Sequence, residues 1–185
     1  MSDLAARLDA LRELIQKPEF LEGKGLSNEV NIRIFCYEPQ EEMSIRHFAE
    51  KLTEDKTLRC RLIEYNLYQI FLSICDDKRI TDRVAQLEDN KGKQFVLDQM
   101  IRMTNNVAFV KKMQYSPHES GDVILITGVG EAFPFIRIHS LLEAMQPCFS
   151  DVPILVMYPG TFDGHYIKLF DQLPPNPYYR AFKVI

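Results

Sequence analysis

The chain has 185 residues, 46% hydrophobic and 26% charged, which is ordinary for a globular protein and enough for one domain with a substantial core. Its 22 basic and 26 acidic residues sum to −4 and the densest basic runs are pairs such as Lys111-Lys112, so a dedicated nucleic-acid binder, which needs a basic face, is disfavoured. No apolar stretch approaches the roughly 20 residues that span a bilayer, the start does not read as a signal peptide, and Cys36, Cys60, Cys75 and Cys148 are too dispersed for a zinc site, so a cytoplasmic protein with reduced thiols is expected.

Leu4, Leu8, Leu11 and Ile15 lie on one helical face, with Ser2 or Asp3 as N-cap, and this helix is expected to end near Lys17, before Pro18. A loop over 19–29 leads to an alternating, β-rich strand at 30–37, stopped by Pro39. Glu41 and Glu42 suit the positive start of a helix whose Ile45, Phe48, Ala49 and Leu52 form a buried stripe. A second strand at 58–65, an apolar helix at 67–75 and a helical region at 81–104, broken near Asn90-Lys91-Gly92, follow. Residues 105–115 are ambiguous between elements, with a short strand around 107–110 as one reading. The run Asp122–Thr127 is apolar on both faces, as an interior parallel strand should be.

A helix over about 135–146, a strand at 152–158, a helix at 164–172 capped by Asp163 and a final strand at 178–185 complete the chain. Strands separated by helices imply parallel pairing through right-handed crossovers. The fold class is therefore α/β: a single three-layer sandwich of about five mostly parallel strands, spanning residues 1–185.

Ligands of open α/β sheets bind at the carboxyl ends of strands, so the turns there carry the functional question. Gly23-Lys24-Gly25-Leu26-Ser27 fails as a phosphate loop because glycine follows the lysine and no strand precedes it. Gly128-Val129-Gly130 sits between a strand and a helix, but a dinucleotide fingerprint would need glycine where Phe133 stands. Glu131 also puts a carboxylate where a pyrophosphate needs positive potential. A tight turn with Pro134 at the first helical position is expected there, or a contact to a partner or a non-nucleotide ligand. Tyr158-Pro159-Gly160 reads as a second glycine turn.

Glu38, Glu64, Glu131, Asp163 and His165 could gather at the same edge as a metal or acid–base set, although Asp163 has a capping role and Glu131 is placed to pair with Arg137. No nucleophile elbow is present in the sequence. Tyr178, Tyr179, Arg180 and Phe182 form an aromatic-basic cluster of the kind that anchors protein interfaces; equally, its alternate residues could simply pack on the sheet.

The blocks I-T-G-V-G-E-A-F-P-F-I-R at 126–137, V-P-I-L-V-M-Y-P-G-T-F-D-G at 152–164 and Y-Y-R-A-F at 178–182 resemble the BrxB family of bacterial BREX phage-defence systems, and the resemblance covers essentially the whole chain. It implies a cytoplasmic protein encoded beside a methyltransferase, an AAA+ ATPase and a PglZ-type alkaline-phosphatase-like protein, taking part in restriction of phage DNA. The family brings no catalytic residues to transfer. The motif positions it does carry over are Thr127, Gly128, Gly130, Glu131, Pro134, Arg137, Tyr158, Pro159, Gly160, Asp163, Gly164, Tyr178, Tyr179 and Arg180.

The expectation is thus a non-catalytic adaptor or regulator of a BREX complex, docking on the PglZ-type component, with no cofactor and no metal. The alternatives are a degenerate nucleotide-binding regulator and a metal-dependent hydrolase or nuclease built on Glu131, Asp163 and His165.

Overall fold

The structure, a computed structural model, describes residues 4–22, 31–178 and 180–185. The Gly23-Lys24-Gly25 loop, Ser2, Asp3 and Tyr179 lie outside them. Helix α1 (Leu4–Leu14) buries Leu8 and Leu11. It stops short of Lys17, and Pro18 instead opens the one-turn helix α2 (Pro18–Leu21), where its missing N–H costs nothing.

Strand β1 (Ile32–Tyr37) sends Ile34 and Cys36 into one hydrophobic cluster and Phe35 and Tyr37 into another, because it is covered on both faces. Helix α3 (Glu42–Glu54) buries Ile45, Ala49 and Leu52 at helical spacing. Strand β2 (Arg61–Asn66) runs straight into α4 (Leu67–Asp77). Asn66 makes that junction by accepting from the Tyr68 and Gln69 amides at 3.0 and 3.1 Å. Asn66→Ala is expected to cost about 1 kcal/mol through loss of this cap, lowering Tm by roughly 2–4 °C in a thermal melt.

Residues 81–104 divide into α5 (Val84–Lys91) and α6 (Lys93–Met103) at Gly92, as their composition requires. The short strand read around 107–110 is instead part of α7 (Asn106–Met113). Its valines favour a strand, but Asn105 caps a helix by accepting from the Ala108 amide at 3.0 Å. Phe109, Val110 and Met113 then bury as a stripe of period 3.6 while Val107 stays exposed.

Strand β3 (Asp122–Thr127) is buried along its whole length. After it come α8 (Val129–Ala132), α9 (Ile138–Met145), β4 (Ile154–Phe162), β5 (Tyr166–Leu169), β6 (Asn176–Pro177) and β7 (Phe182–Lys183).

The main sheet has the order β2-β3-β4-β1-β7 with every neighbour parallel, and β5 and β6 extend β4 as an antiparallel ribbon. This is the expected α/β architecture. From β1 to β2 the chain crosses the sheet in one direction; from β2 through β3 to β4 it returns in the other. Right-handed crossovers then place the two sets of helices on opposite faces. Accordingly α1 and α3 cover Phe35, Leu125, Leu155 and Met157, while α4, α7, α8 and α9 cover Ile34, Ile126, Val156 and Tyr158. Among the described residues no helix is long and apolar enough to cross a membrane.

The C-terminal third departs most from expectation. Helix α9 begins at Ile138, and Pro134 is not its first residue: the Phe133–Pro134 peptide is cis and lies in the turn after α8. Strand β4 does not stop at a glycine turn but continues through Pro159 and Gly160 to Phe162. The expected helix at 164–172 is replaced by β5. Asp163 explains the error, since its carboxylate accepts from the His165 and Tyr166 amides at 2.8 and 2.7 Å and closes a hairpin with the chemistry that would cap a helix. The final strand shrinks to Phe182–Lys183, paired with Arg33 and Ile34.

Candidate functional site

The connection after β1 leaves toward one face and that after β3 toward the other, so a crevice opens where their carboxyl ends flank β4. A cavity of about 180 Å³ occupies this crevice beneath α3. Ile45, Ala49 and Met157 line it with apolar surface; Tyr37, Glu42, Arg46, Glu50, Glu64, Asn66, Thr127 and Gly128 supply the polar lining.

Its charges are organised around α3. The buried Tyr37 hydroxyl donates to Glu42 Oε2 at 2.5 Å, and burial, followed by that carboxylate, raises its pKa well above the usual tyrosine range. Arg46 bridges two carboxylates, with Nε 3.0 Å from Glu42 Oε1 and a terminal nitrogen 2.8 Å from Glu131 Oε1. The Thr127 hydroxyl donates to Glu64 Oε1 at 2.7 Å. Glu131 therefore pairs with Arg46 and not with Arg137, whose guanidinium lies 5.4 Å over the Phe133 ring.

The glycines at this edge are occupied by packing. Gly128 takes the left-handed conformation with φ 68°, and a Cβ there would lie 2.7 Å from Asn66 Oδ1. A Cβ on Gly130 would lie 2.8 Å from the Phe170 ring. Asn66 and Phe170 thus pack directly against the two glycines.

The other anticipated residues are dispersed. Glu38 sits in a capping box, its amide donating to Glu41 Oε2 at 2.9 Å. Asp163 and His165 are at the exposed hairpin tip, where the Tyr166 and His165 amides hold the Asp163 carboxyl below its usual pKa. Tyr158 is buried under α8 and α9, which raises its hydroxyl pKa. Glu38, Glu64, Glu131, Asp163 and His165 do not converge; among the described residues no three His, Cys, Asp or Glu side chains are grouped to hold a metal ion.

The C-terminal cluster is split. Tyr178 is 2% exposed and belongs to the core. Arg180 is exposed and donates to Gln146 Oε1 at 3.0 Å, and Phe182 lies 4.9 Å beneath the Arg33 guanidinium. Sequence reasoning missed Tyr37, Glu42 and Arg46; the signal for the latter two was their i, i+4 spacing at the start of a helix.

A family model described as BREX protein BrxB matches residues 63–184. A Bacillus cereus (strain H3081.97) protein named BREX protein BrxB is 34% identical over 192 residues, spanning 100% of this chain and 99% of that protein. The chain belongs to the BrxB family. An Escherichia coli O9:H4 (strain HS) protein of the same name is 28% identical over 190 residues, covering 98% of this chain and 92% of its own. No solved structure gives a significant match. The family match takes in β3, β4 and the turn residues Thr127, Gly128 and Glu131, while Tyr37 and the α3 side of the crevice lie outside the matched residues 63–184.

Proposed function

We propose that this BrxB-family protein serves BREX phage defence as a non-catalytic adaptor or regulatory component, docking on the PglZ-type alkaline-phosphatase-like protein. Full-length similarity to two BREX proteins supports the system to which it belongs. One observation carries the adaptor reading: the strand-end turn of the family block is filled by Asn66 and Phe170, and its carboxylate Glu131 is neutralised by Arg46. These residues shape a surface.

Co-elution with the PglZ-type protein at low salt tests the reading. A stoichiometric complex is expected, and no association with any BREX protein would sink it. In the same preparation, millimolar ATP, ADP, GTP and NAD are expected to leave Tm unchanged, because a bound ligand would raise it by mass action.

A further inference from the structure

We infer that the crevice under α3 receives a single basic side chain, a lysine or arginine presented by the docked partner protein. The inference rests on the adaptor reading and names the chemistry of the contact. Three observations lead to it.

The first is size. At roughly 30 Å³ per water molecule, the cavity of about 180 Å³ admits a handful of waters, or one long side chain. The second is charge. Glu42, Glu50 and Glu64 line it against one cation, Arg46, and Arg46 is already engaged by Glu42 and by Glu131 just beyond the lining. Glu50 and Glu64 are exposed at the mouth of the crevice, and among the described residues neither has an ion-pair partner; Glu64 accepts only the Thr127 hydroxyl, which leaves its second carboxylate oxygen available. The third is shape. An apolar floor of Ile45, Ala49 and Met157 beneath carboxylates matches a lysine or arginine, whose aliphatic stem packs while its charged head stays at the mouth. Arg46 shows a guanidinium held between two carboxylates at this same edge.

The test separates the crevice from the adaptor role. N-acetyl-arginine amide is titrated to millimolar concentration into the full chain while amide NMR shifts are followed. Shifts confined to Tyr37, Thr127, Gly128 and their neighbours are expected, with about three- to fivefold weaker binding in Glu64→Gln and a smaller loss in Glu50→Gln. Glutamine at 64 can still accept from Thr127, so the fold is kept. Affinity for the PglZ-type protein should fall by a similar factor in Glu64→Gln. If the probe shifts no crevice amide, or if Glu64→Gln binds probe and partner as the wild type does, the inference fails even where the wild type and partner co-elute. Probe binding at the crevice without co-elution would uphold the basic-group site and overturn the adaptor reading instead.

Discussion

Gly160→Ala is expected to disrupt the β4–β5 hairpin and to cost about 4 kcal/mol, at the upper end for a single substitution. The reason is a close approach of backbone to backbone. A Cβ at position 160 would stand 2.2 Å from the Lys168 carbonyl oxygen and 3.0 Å from the Phe170 nitrogen. Neither atom can swing aside as a side chain would, because Phe170 N donates to Pro159 O at 2.8 Å and Gly160 is in register with Leu169. Relief therefore means parting the ribbon. That exposes Phe162 and Ile167, both buried in the core facing α8 and α9. A thermal melt should show Tm lower by about 8–16 °C, or protein lost to the insoluble fraction. A Tm within 2 °C of wild type, to within roughly the effect of an ordinary surface change, would contradict the account.

Asp122→Ala is expected to cost about 2–3 kcal/mol, the range for removing a buried charged acceptor from its donors, because the half-exposed Arg61 guanidinium returns to water when its partner is lost. Asp122 begins β3 at the edge opposite the crevice, and its side chain is 1% exposed. It accepts from Arg61 at 2.7 and 2.8 Å, from the Tyr115 hydroxyl at 2.8 Å and from the Glu119 amide at 2.9 Å. Burial alone would raise its pKa. The Arg61 guanidinium, the Glu119 amide and the Tyr115 hydroxyl outweigh burial and hold the carboxyl at about 2.

The sign of the pH effect follows. In acid the unfolded chain takes up this proton before the folded one does, so the contribution is fully present above the ordinary carboxylate range, near pH 4. It is lost as pH falls through about 2. The depression corresponds to about 2 kcal/mol. Between pH 5 and 2 the wild type should therefore lose more Tm than Asp122→Asn, and parallel losses would show that Asp122 is not a stabilising anion.

The sequence conveyed the inner strands and the apolar helices well, because their signal is local. Asp122–Thr127 has no polar face to hide, and Ile45, Ala49 and Leu52 repeat at 3.6. It misled where one residue type serves two geometries. Asp163 caps turns and helices alike, and only the pairing of β5 with β4 decides which. Valines 107 and 110 favour strands, yet the Asn105 cap and the burial of Phe109 and Met113 make a helix.

At the candidate site Thr127, Gly128 and Glu131 were legible as a strand-end turn. Their partners were not. Arg46 and Asn66 are brought to that turn by a crossover that sends the chain from β1 to the far side of the sheet, which no local pattern encodes. Tyr178 and Arg180, two residues apart in one motif, separate into core and surface because the strand expected to carry both begins only at Phe182.

The claim that Glu131, Asp163 and His165 serve structure and carry no reaction is tested most directly by the plating efficiency of a BREX-sensitive phage. The cells carry the system with the triple variant E131Q/D163N/H165Q. Amides keep the turn and hairpin geometry but can neither act as a general base nor hold a metal as carboxylates do. Restriction at the wild-type level is predicted. Loss of restriction by a variant that keeps its Tm and still co-elutes with the PglZ-type protein would contradict the account and give these side chains a role beyond structure.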